Sequence, residues 1–446
     1  MEPTSPRAAA ELLKSHDLHP SEVADYLEDR GLREIAACLS DLDEQDAADV
    51  VEHLDLAIQR DLVDVIPRGH MAKVIERMAP DVRADLIKEL PEEVADGILP
   101  LIAQAERQDI ARLAAYDEDT AGSVMTTEYA VVNLDDTVAT AREGLRRQAP
   151  GEETGYYVYV VDAGRKLIGI VSLRELLLAR PDQHIEEIVD RDCVSINAED
   201  DQETLGDIFS RYELPSVPVI DDAGRLVGRI TADDVIDVVE EEADEDIYHL
   251  GAAGRPIDYL RSGVLRIARE RITWLLILVV TGLITSTLMQ HYRGYLDQAV
   301  VLVIFIPLLM GSGGNAGSQT TAVIIRGLST GEIEMRDVWR VVFKEMRVGL
   351  LVGLALGLCA AGRALLVPAN GGSPIRLGLT VGLAMIATVT LAKTLGAVLP
   401  ILFKKVRLDP ALMSAPFITS IVDVVTVVGY FLLADLIYFG GASPAL

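Results

Sequence analysis

Apolar and polar residues follow three rhythms along this chain. From residue 24 to 101 an alanine-led pattern returns roughly every 12 residues: Ala24-Asp-Tyr-Leu, Ala36-Ala-Cys-Leu, Ala48-Asp-Val-Val, Ala72-Lys-Val-Ile, Ala84-Asp-Leu-Ile and Ala95-Asp-Gly-Ile, with Arg60-Asp-Leu-Val filling the gap. Twelve residues hold one short helix and a turn, and Pro67, Pro80 and Pro91 punctuate the units, so a superhelical stack of short helices is expected. Residues 125–240 carry a strand rhythm, and it is duplicated. Tyr159-Val-Val-Asp-Ala-Gly-Arg-Lys-Leu-Ile-Gly169-Ile-Val-Ser172-Leu-Arg-Glu175 resembles Val219-Ile-Asp-Asp-Ala-Gly-Arg-Leu-Val-Gly228-Arg-Ile-Thr231-Ala-Asp-Asp234. Each copy predicts a strand, a turn on Ala-Gly-Arg, a second strand, and a helix start led by Ser/Thr or Asp.

The third rhythm is uninterrupted apolarity. Five stretches, near Ile272–Gln290, Ala299–Ile325, Val348–Val367, Leu377–Phe403 and Ala411–Phe439, are long enough to cross a bilayer, which takes about 20 residues each. The third reads Gly349-xxx-Gly353-xxx-Gly357, a small-residue stripe that lets another helix approach closely.

Charge divides the chain at the same place as pattern. Residues 1–250 hold 59 Asp+Glu against 23 Lys+Arg, whereas residues 251–446 hold 10 against 17. Basic residues cluster before the first span (Arg266, Arg269, Arg271), between the second and third (Arg326, Arg336, Arg340, Lys344, Arg347) and between the fourth and fifth (Lys404, Lys405, Arg407). The alternate loops hold Arg293, Arg363 and Arg376. By the positive-inside rule the N-terminus is expected in the cytoplasm and the C-terminus outside, in a multi-pass cell-membrane protein. Met1 to His16 lacks an apolar core, which agrees with a cytoplasmic start. Cys38, Cys193 and Cys359 sit far apart, without disulfide or zinc spacing. No nucleophile–base set or phosphate loop appears, so an enzyme is not expected, nor is a nucleic-acid partner.

Two features inside the spans carry candidate chemistry. The second span contains Pro307-Leu-Leu-Met-Gly-Ser-Gly-Gly-Asn-Ala-Gly-Ser-Gln319. Four glycines within seven residues weaken a helix, and unwound backbone at Gly314, beside Asn315 and Gln319, would offer hard oxygens to a hydrated cation. A kinked packing helix is the other reading. The second feature is Asp423, within Thr419-Ser-Ile-Val-Asp-Val-Val-Thr426. At ~1.5 Å per residue it lies roughly 18 Å into the fifth span, where a carboxylate needs a cation, a partner charge or a water-filled cavity. Asp435 lies nearer the outer end. Lys393, in the fourth span, falls at a depth similar to Asp423, and an ion pair between them competes with the ion-path reading. Beyond the duplicated module, nine carboxylates occur in the 14 residues from Asp233 to Asp246, a solvated acidic helix or a divalent-cation site.

Helical repeats, paired modules of this kind, a connecting segment and five spans, in that order, resemble the MgtE family of magnesium channels and transporters, and the duplicated segment resembles a tandem pair of CBS domains. Asp119-Thr-Ala-Gly before Met125, Gly313-Gly-Asn-Ala-Gly-Ser-Gln319 and Asp409-Pro-Ala-Leu-Met-Ser-Ala-Pro416 leading to Asp423 carry the likeness. It implies a multidomain membrane protein: an all-α superhelical N domain (1–122), α/β tandem CBS domains (123–242), an acidic segment with a connecting helix near Pro256–Arg269 (243–271), and a five-helix transmembrane pore domain (272–446). It implies a homodimer in the lipid bilayer, with Asp423 of each subunit facing a hydrated Mg²⁺. It further implies that cytoplasmic Mg²⁺ closes the pore through Asp234, Asp237, Glu242, Glu245 and Asp246, with Glu203 and Glu213, and with Asp81 and Asp85 as array partners. CBS pairs also bind adenine nucleotides such as ATP, or serve as plain dimerisation modules. The chain departs from the family at Ala415 and Thr426, where Gly is common, and at Lys393, where a neutral residue is usual. Two rival readings follow: a transporter of altered ion choice or coupling through Lys393, and a non-conducting CBS-based cation or nucleotide sensor.

Overall fold

Alanine at the head of each repeat has a packing reason. In the computed structural model, which describes residues 5–15, 17–148, 156–257, 259, 262–368, 373–406, 408–410 and 415–440, Ala24, Ala48, Ala72 and Ala84 are buried between short helices. Nine α-helices among the described residues, from Pro6–Lys14 to Gln104–Leu113, each pack chiefly against the helix two places on, giving the expected superhelical stack. Pro67 and Pro91 cap their helices and Pro80 opens one, where a missing N–H costs nothing. A second device recurs at double the alanine period. Glu28, Glu52 and Glu76 accept the backbone N–H of Asp55, Ala79 and Ala103, tying the end of one helix to the start of the helix three places on.

The duplicated segment forms two three-stranded sheets of the same order. β1 (Val131–Asn133), β2 (Tyr157–Val161) and β3 (Leu167–Ser172) make the first; β4 (Ile196–Asn197), β5 (Ser216–Ile220) and β6 (Leu226–Thr231) make the second. In each, the first pair is parallel and the second antiparallel, with equivalent registers, Val160↔Gly169 and Val219↔Gly228. The two turns exchange backbone bonds, Leu167 N–H to Gly224 O and Leu226 N–H to Arg165 O, both 3.0 Å. Helix Gln104–Leu113 docks on the second copy, where Leu113 joins Val217, Val219 and Ile230 in one core and Arg112 donates to Val227 O.

The chain divides into two units, Met1–Val239 and Glu240–Leu446, and the acidic helix Ala232–Leu250 begins in the first and ends in the second. Within the second unit five helices are long and apolar enough to cross a membrane: Val264–His291, Val300–Ser329, Met335–Leu365, Pro374–Lys405 and Ala415–Tyr438, called spans one to five below. Span one buries only 6% of its apolar window, so most of its surface is open to lipid or another chain.

Spans three and four form the tightest pair. A Cβ on Gly349 would meet Thr390 Cα at 2.9 Å, one on Gly353 would meet Ile386 O at 3.0 Å, and one on Gly357 would meet Gly382 O at 2.8 Å. The stripe is therefore a backbone-to-backbone seam.

Two expectations of local structure change. Residues 306–329 form one continuous helix, so the glycine-rich stretch is not unwound. Three of its four glycines are taken up by neighbours: Gly313 lies against Thr388 and Val422, Gly314 against Thr419, and Gly317 against Ile418 and Val422. Packing of this kind offsets the helical cost of glycine, about 1 kcal/mol per residue. The connecting helix expected near Pro256–Arg269 falls partly on residues 258, 260 and 261, outside the described residues. From Val264 onward the backbone is already the first turns of span one, with no Pro or Gly before Gly282 to break it.

Candidate functional site

Span five places Asp423 one residue beyond Val422, which packs on Gly313 and Gly317 of span two. Asp423 Oδ1 is buried and has no hydrogen-bond partner among the described residues, and the same holds for Thr426 Oγ1 one turn on. Ser318 Oγ donates to Ala415 O (3.2 Å) and lies 3.3 Å from Thr419 Oγ1, fixing the two helices below that level. Asn315 and Gln319 are four apart and share one exposed face of span two, whereas Gly314, with its backbone in the helix, is buried against Thr419. Part of the Asp409–Pro416 motif, residues 411–414, lies outside the described residues.

Lys393 is not paired with Asp423. Its side chain is 8% exposed, and its ammonium donates to Thr320 Oγ1 of span two at 3.1 Å and lies 3.7 Å from Glu345 Oε2 of span three. Thr320 Oγ1 in turn donates to Glu345 Oε2 at 3.0 Å. Equal depth in antiparallel helices does not bring side chains together when their faces differ. Lys393 lies three residues after Thr390, at the seam with span three, and that seam chooses its partner. Glu345 escaped the sequence reading because it sits among Arg336, Arg340, Lys344 and Arg347. The glycine stripe continued backward by one turn, from Gly349 to Glu345, would have found it.

In the first unit, Asp81 on helix Pro80–Glu89 faces Asp234 at the start of the acidic helix. Burial holds the Asp81 carboxyl well above the usual carboxylate range, and Asp234 raises it further. Asp234 itself accepts from Thr231, through N–H at 3.1 Å and through its hydroxyl. Burial also pushes Asp85 up to about 6, opposed by Lys88 and assisted by Glu118. Two like charges held together in poor solvation suit a bridging dication with its own water shell. Among the described residues no group of three or more His, Cys, Asp or Glu side chains is arranged to hold an ion.

The remaining sensor candidates do not converge on that pair. Glu203 opens helix Glu203–Tyr212 and Glu213 ends it in a left-handed conformation, φ 51°. The ten-residue step from one to the other spans about 15 Å of helix, too far to share one ion. Asp237 is exposed and Glu242 half-buried on the acidic helix. In the second unit, Glu245 and Asp246 join a group that sequence reasoning missed. His249 Nδ1 lies 3.1 Å from Asp409 Oδ2 and its Nε2 3.6 Å from Glu245 Oε1, while Ser329 Oγ donates to Asp246 at 3.4 Å. The Asp409 hydrogen bond raises the His249 imidazole against the opposing effect of burial, and burial raises Asp246. Spacing could have found His249, one turn beyond Glu245 on the same helix face.

Comparison with known proteins places these features in context. A divalent cation transporter family model, MgtE, matches residues 306–433; the MgtE intracellular N domain matches 18–119; and CBS domains match 121–182 and 185–241. The magnesium transporter MgtE of Thermus thermophilus is 35% identical over 97% of this chain and 95% of its own length. That of Bacillus subtilis is 30% identical over 96% of this chain and 92% of its own. Among solved structures, the cytosolic domain of the Mg²⁺ channel MgtE in complex with ATP is 34% identical, covering 52% of this chain and 94% of that one, with a TM-score of 0.49.

Proposed function

The chain belongs to the MgtE family, and from that premise we propose that it carries Mg²⁺ across the cell membrane as a homodimer, with Asp423 as the carboxylate that meets the ion. The observation that carries this reading is the buried Asp423 Oδ1, without a partner among the described residues, in the middle of an apolar helix. A carboxylate at that depth is costly unless a positive charge meets it, and the buried ammonium of Lys393 is committed to Glu345 and Thr320. In a two-fold dimer one such carboxylate per subunit becomes a pair, enough to neutralise a single dication. Asn315 and Gln319 offer amide oxygens on one face of span two, suited to the water shell that Mg²⁺ keeps.

Regulation belongs to the same reading. Cytoplasmic Mg²⁺ bridging Asp81 and Asp234 relieves the repulsion between them and draws the helical array onto the CBS pair, with Asp85 beside it. Glu245 and Asp246, next to Asp409, report to the membrane half. Asp237, Glu242, Glu203 and Glu213 contribute negative potential at longer range. ATP or another adenine nucleotide is a ligand of the CBS pair, at the Ser172–Glu175 and Thr231–Asp234 helix starts. The N-terminus is cytoplasmic and the C-terminus outside, as the basic loops require. Because Lys393 is engaged elsewhere, altered coupling through a Lys393–Asp423 pair is not favoured.

Flux into liposomes tests the reading. The wild-type protein is expected to take up Mg²⁺, and Asp423→Asn to fall to the level of empty vesicles while remaining a folded dimer. Wild-type flux in Asp423→Asn would sink the assignment. A wild-type protein that contracts on Mg²⁺ addition without conducting would favour the sensor.

A further inference from the structure

Two carboxylates in the membrane half compete for one buried ammonium. Lys393 is 8% exposed, and its stem is closed in by span three, where Gly349 permits backbone contact with Thr390. An ammonium in such surroundings must find an anion, because an unpaired buried charge is far costlier than a paired one. Asp423 on span five is one anion available in this unit, with Oδ1 unpartnered among the described residues. Glu345 on span three is the other, and it holds the ammonium. What tips the competition is Thr320, whose hydroxyl accepts from Lys393 at 3.1 Å and donates to Glu345 at 3.0 Å, so both charges are hydrogen-bonded as well as paired. Gly349, one turn beyond Glu345, supplies the close approach of spans three and four that the geometry needs.

We propose that Glu345 is a positioning residue for ion passage, which holds Lys393 between spans two, three and four and so leaves the Asp423 carboxylate free for the cation. The proposal rests on Asp423 being the residue that meets the ion. The clasp has a second effect. Thr320 directly follows Gln319, so anchoring it on two other helices fixes the rotation of span two and hence the face that presents Asn315 and Gln319. Thr321 reinforces the same setting by donating to Gly396 O of span four at 3.2 Å. Without Glu345 the ammonium loses its anion, and its flexible stem is then free to leave the span-three face and turn toward Asp423 on span five, which packs against span four. A paired Asp423 is a poor cation ligand.

The test compares wild type, Glu345→Gln, Lys393→Met and the double variant Lys393→Met/Glu345→Gln in liposomes, at several external Mg²⁺ concentrations. Glu345→Gln should lower flux by about tenfold or more and raise the Mg²⁺ concentration for half-maximal flux, whereas the double variant should return to within about threefold of wild type. A Glu345→Gln protein with wild-type flux overturns the proposal. So does a folded, dimeric double variant as poor as Glu345→Gln, because removing the ammonium has then failed to free Asp423; a half-maximal Mg²⁺ concentration unchanged in Glu345→Gln overturns it too, since a merely structural pair would alter folding and not the affinity for the ion. If Glu345→Gln does not fold, the charge-swapped Glu345→Lys/Lys393→Glu protein decides: flux near wild type supports the proposal, and loss of flux in a folded dimer overturns it. A wild-type protein that moves no divalent cation fails the transport reading alone. The clasp is then judged by carbodiimide labelling of Asp423, which Glu345→Gln should slow and the double variant restore; unchanged labelling overturns it.

Discussion

Asp81 and Asp234 in the first unit face each other as like charges, whereas Lys393 and Glu345 in the second are buried as opposite ones. Both arrangements remove ionised groups from water. In the membrane half the ammonium and carboxylate satisfy each other through Thr320, so the pair calls for nothing further. In the acidic half the repulsion is left standing: burial first, and Asp234 after it, hold the Asp81 carboxyl above the usual carboxylate range. Asp423, half-buried and with its Oδ1 unpartnered among the described residues, belongs in this respect with the acidic half rather than with its own neighbours. The contrast separates charges that satisfy each other from charges that, on the proposed reading, wait for a cation.

The largest effect should come from erasing the repulsion. Asp81→Asn with Asp234→Asn should raise the Mg²⁺ concentration that protects residues 1–250 from protease by about tenfold or more. Limited proteolysis of the full chain across a Mg²⁺ series measures it, and an unchanged midpoint would remove this pair from the sensor.

A smaller effect concerns protons. Burial pushes Asp85 up to about 6 in the folded unit from its ordinary 3.8, and burial raises Asp81 in the same direction. A raised folded-state pKa contributes stability that is fully present below pH 3.8 and is lost as pH rises through about 6. The first unit without Mg²⁺ should therefore be more stable at pH 5 than at pH 7. Mg²⁺ selects the ionised carboxylates, so binding at pH 5–6 should release protons and at pH 8 should release fewer. Calorimetry in buffers of different ionisation heat counts them; equal release at both ends of the range would contradict the assignment.

The smallest effect tests the seam that carries the opposite charges. Gly353→Ala puts a methyl 3.0 Å from Ile386 O. Overpacking of this kind costs about 1–3 kcal/mol, partly offset by about 1 kcal/mol of better helix propensity. Thermal unfolding in detergent should show a Tm lower by about 2–4 °C, with proteolytic protection of residues 1–250 unchanged. An unaltered Tm would mean that the two backbones have room to part.

How much of this was legible in the sequence depended on the range of each signal. The five spans, the alanine repeat and the duplicated sheets are local patterns, and each stands where periodicity places it. The spans run longer than their apolar cores: span three starts at Met335 rather than near Val348, because basic turns at a helix end are as helical as apolar ones. Composition misled at Gly311–Gly317, since four glycines read as a broken helix until Thr388, Thr419 and Val422 are seen to fill the space left by Gly313, Gly314 and Gly317. Depth along the spans was legible and azimuth was not, so Lys393 was matched to Asp423 when its helix face points to Glu345. The glutamate ladder Glu28–Glu52–Glu76 has a clear period, yet its partners are backbone N–H groups, which no side-chain pattern reveals.

The seam between spans three and four also bears on how the chain enters its membrane. A lysine at the centre of an inserting helix costs about 2.5–3.5 kcal/mol on the translocon scale, and span four carries Lys393 while span three carries Glu345. Inserted one after the other, each helix meets lipid with its charge bare. Inserted as a hairpin, with Gly349, Gly353 and Gly357 already against their neighbours, the two helices present the charges to each other and an apolar exterior to the bilayer. Insertion of these two segments as a pair is therefore cheaper than insertion of either alone.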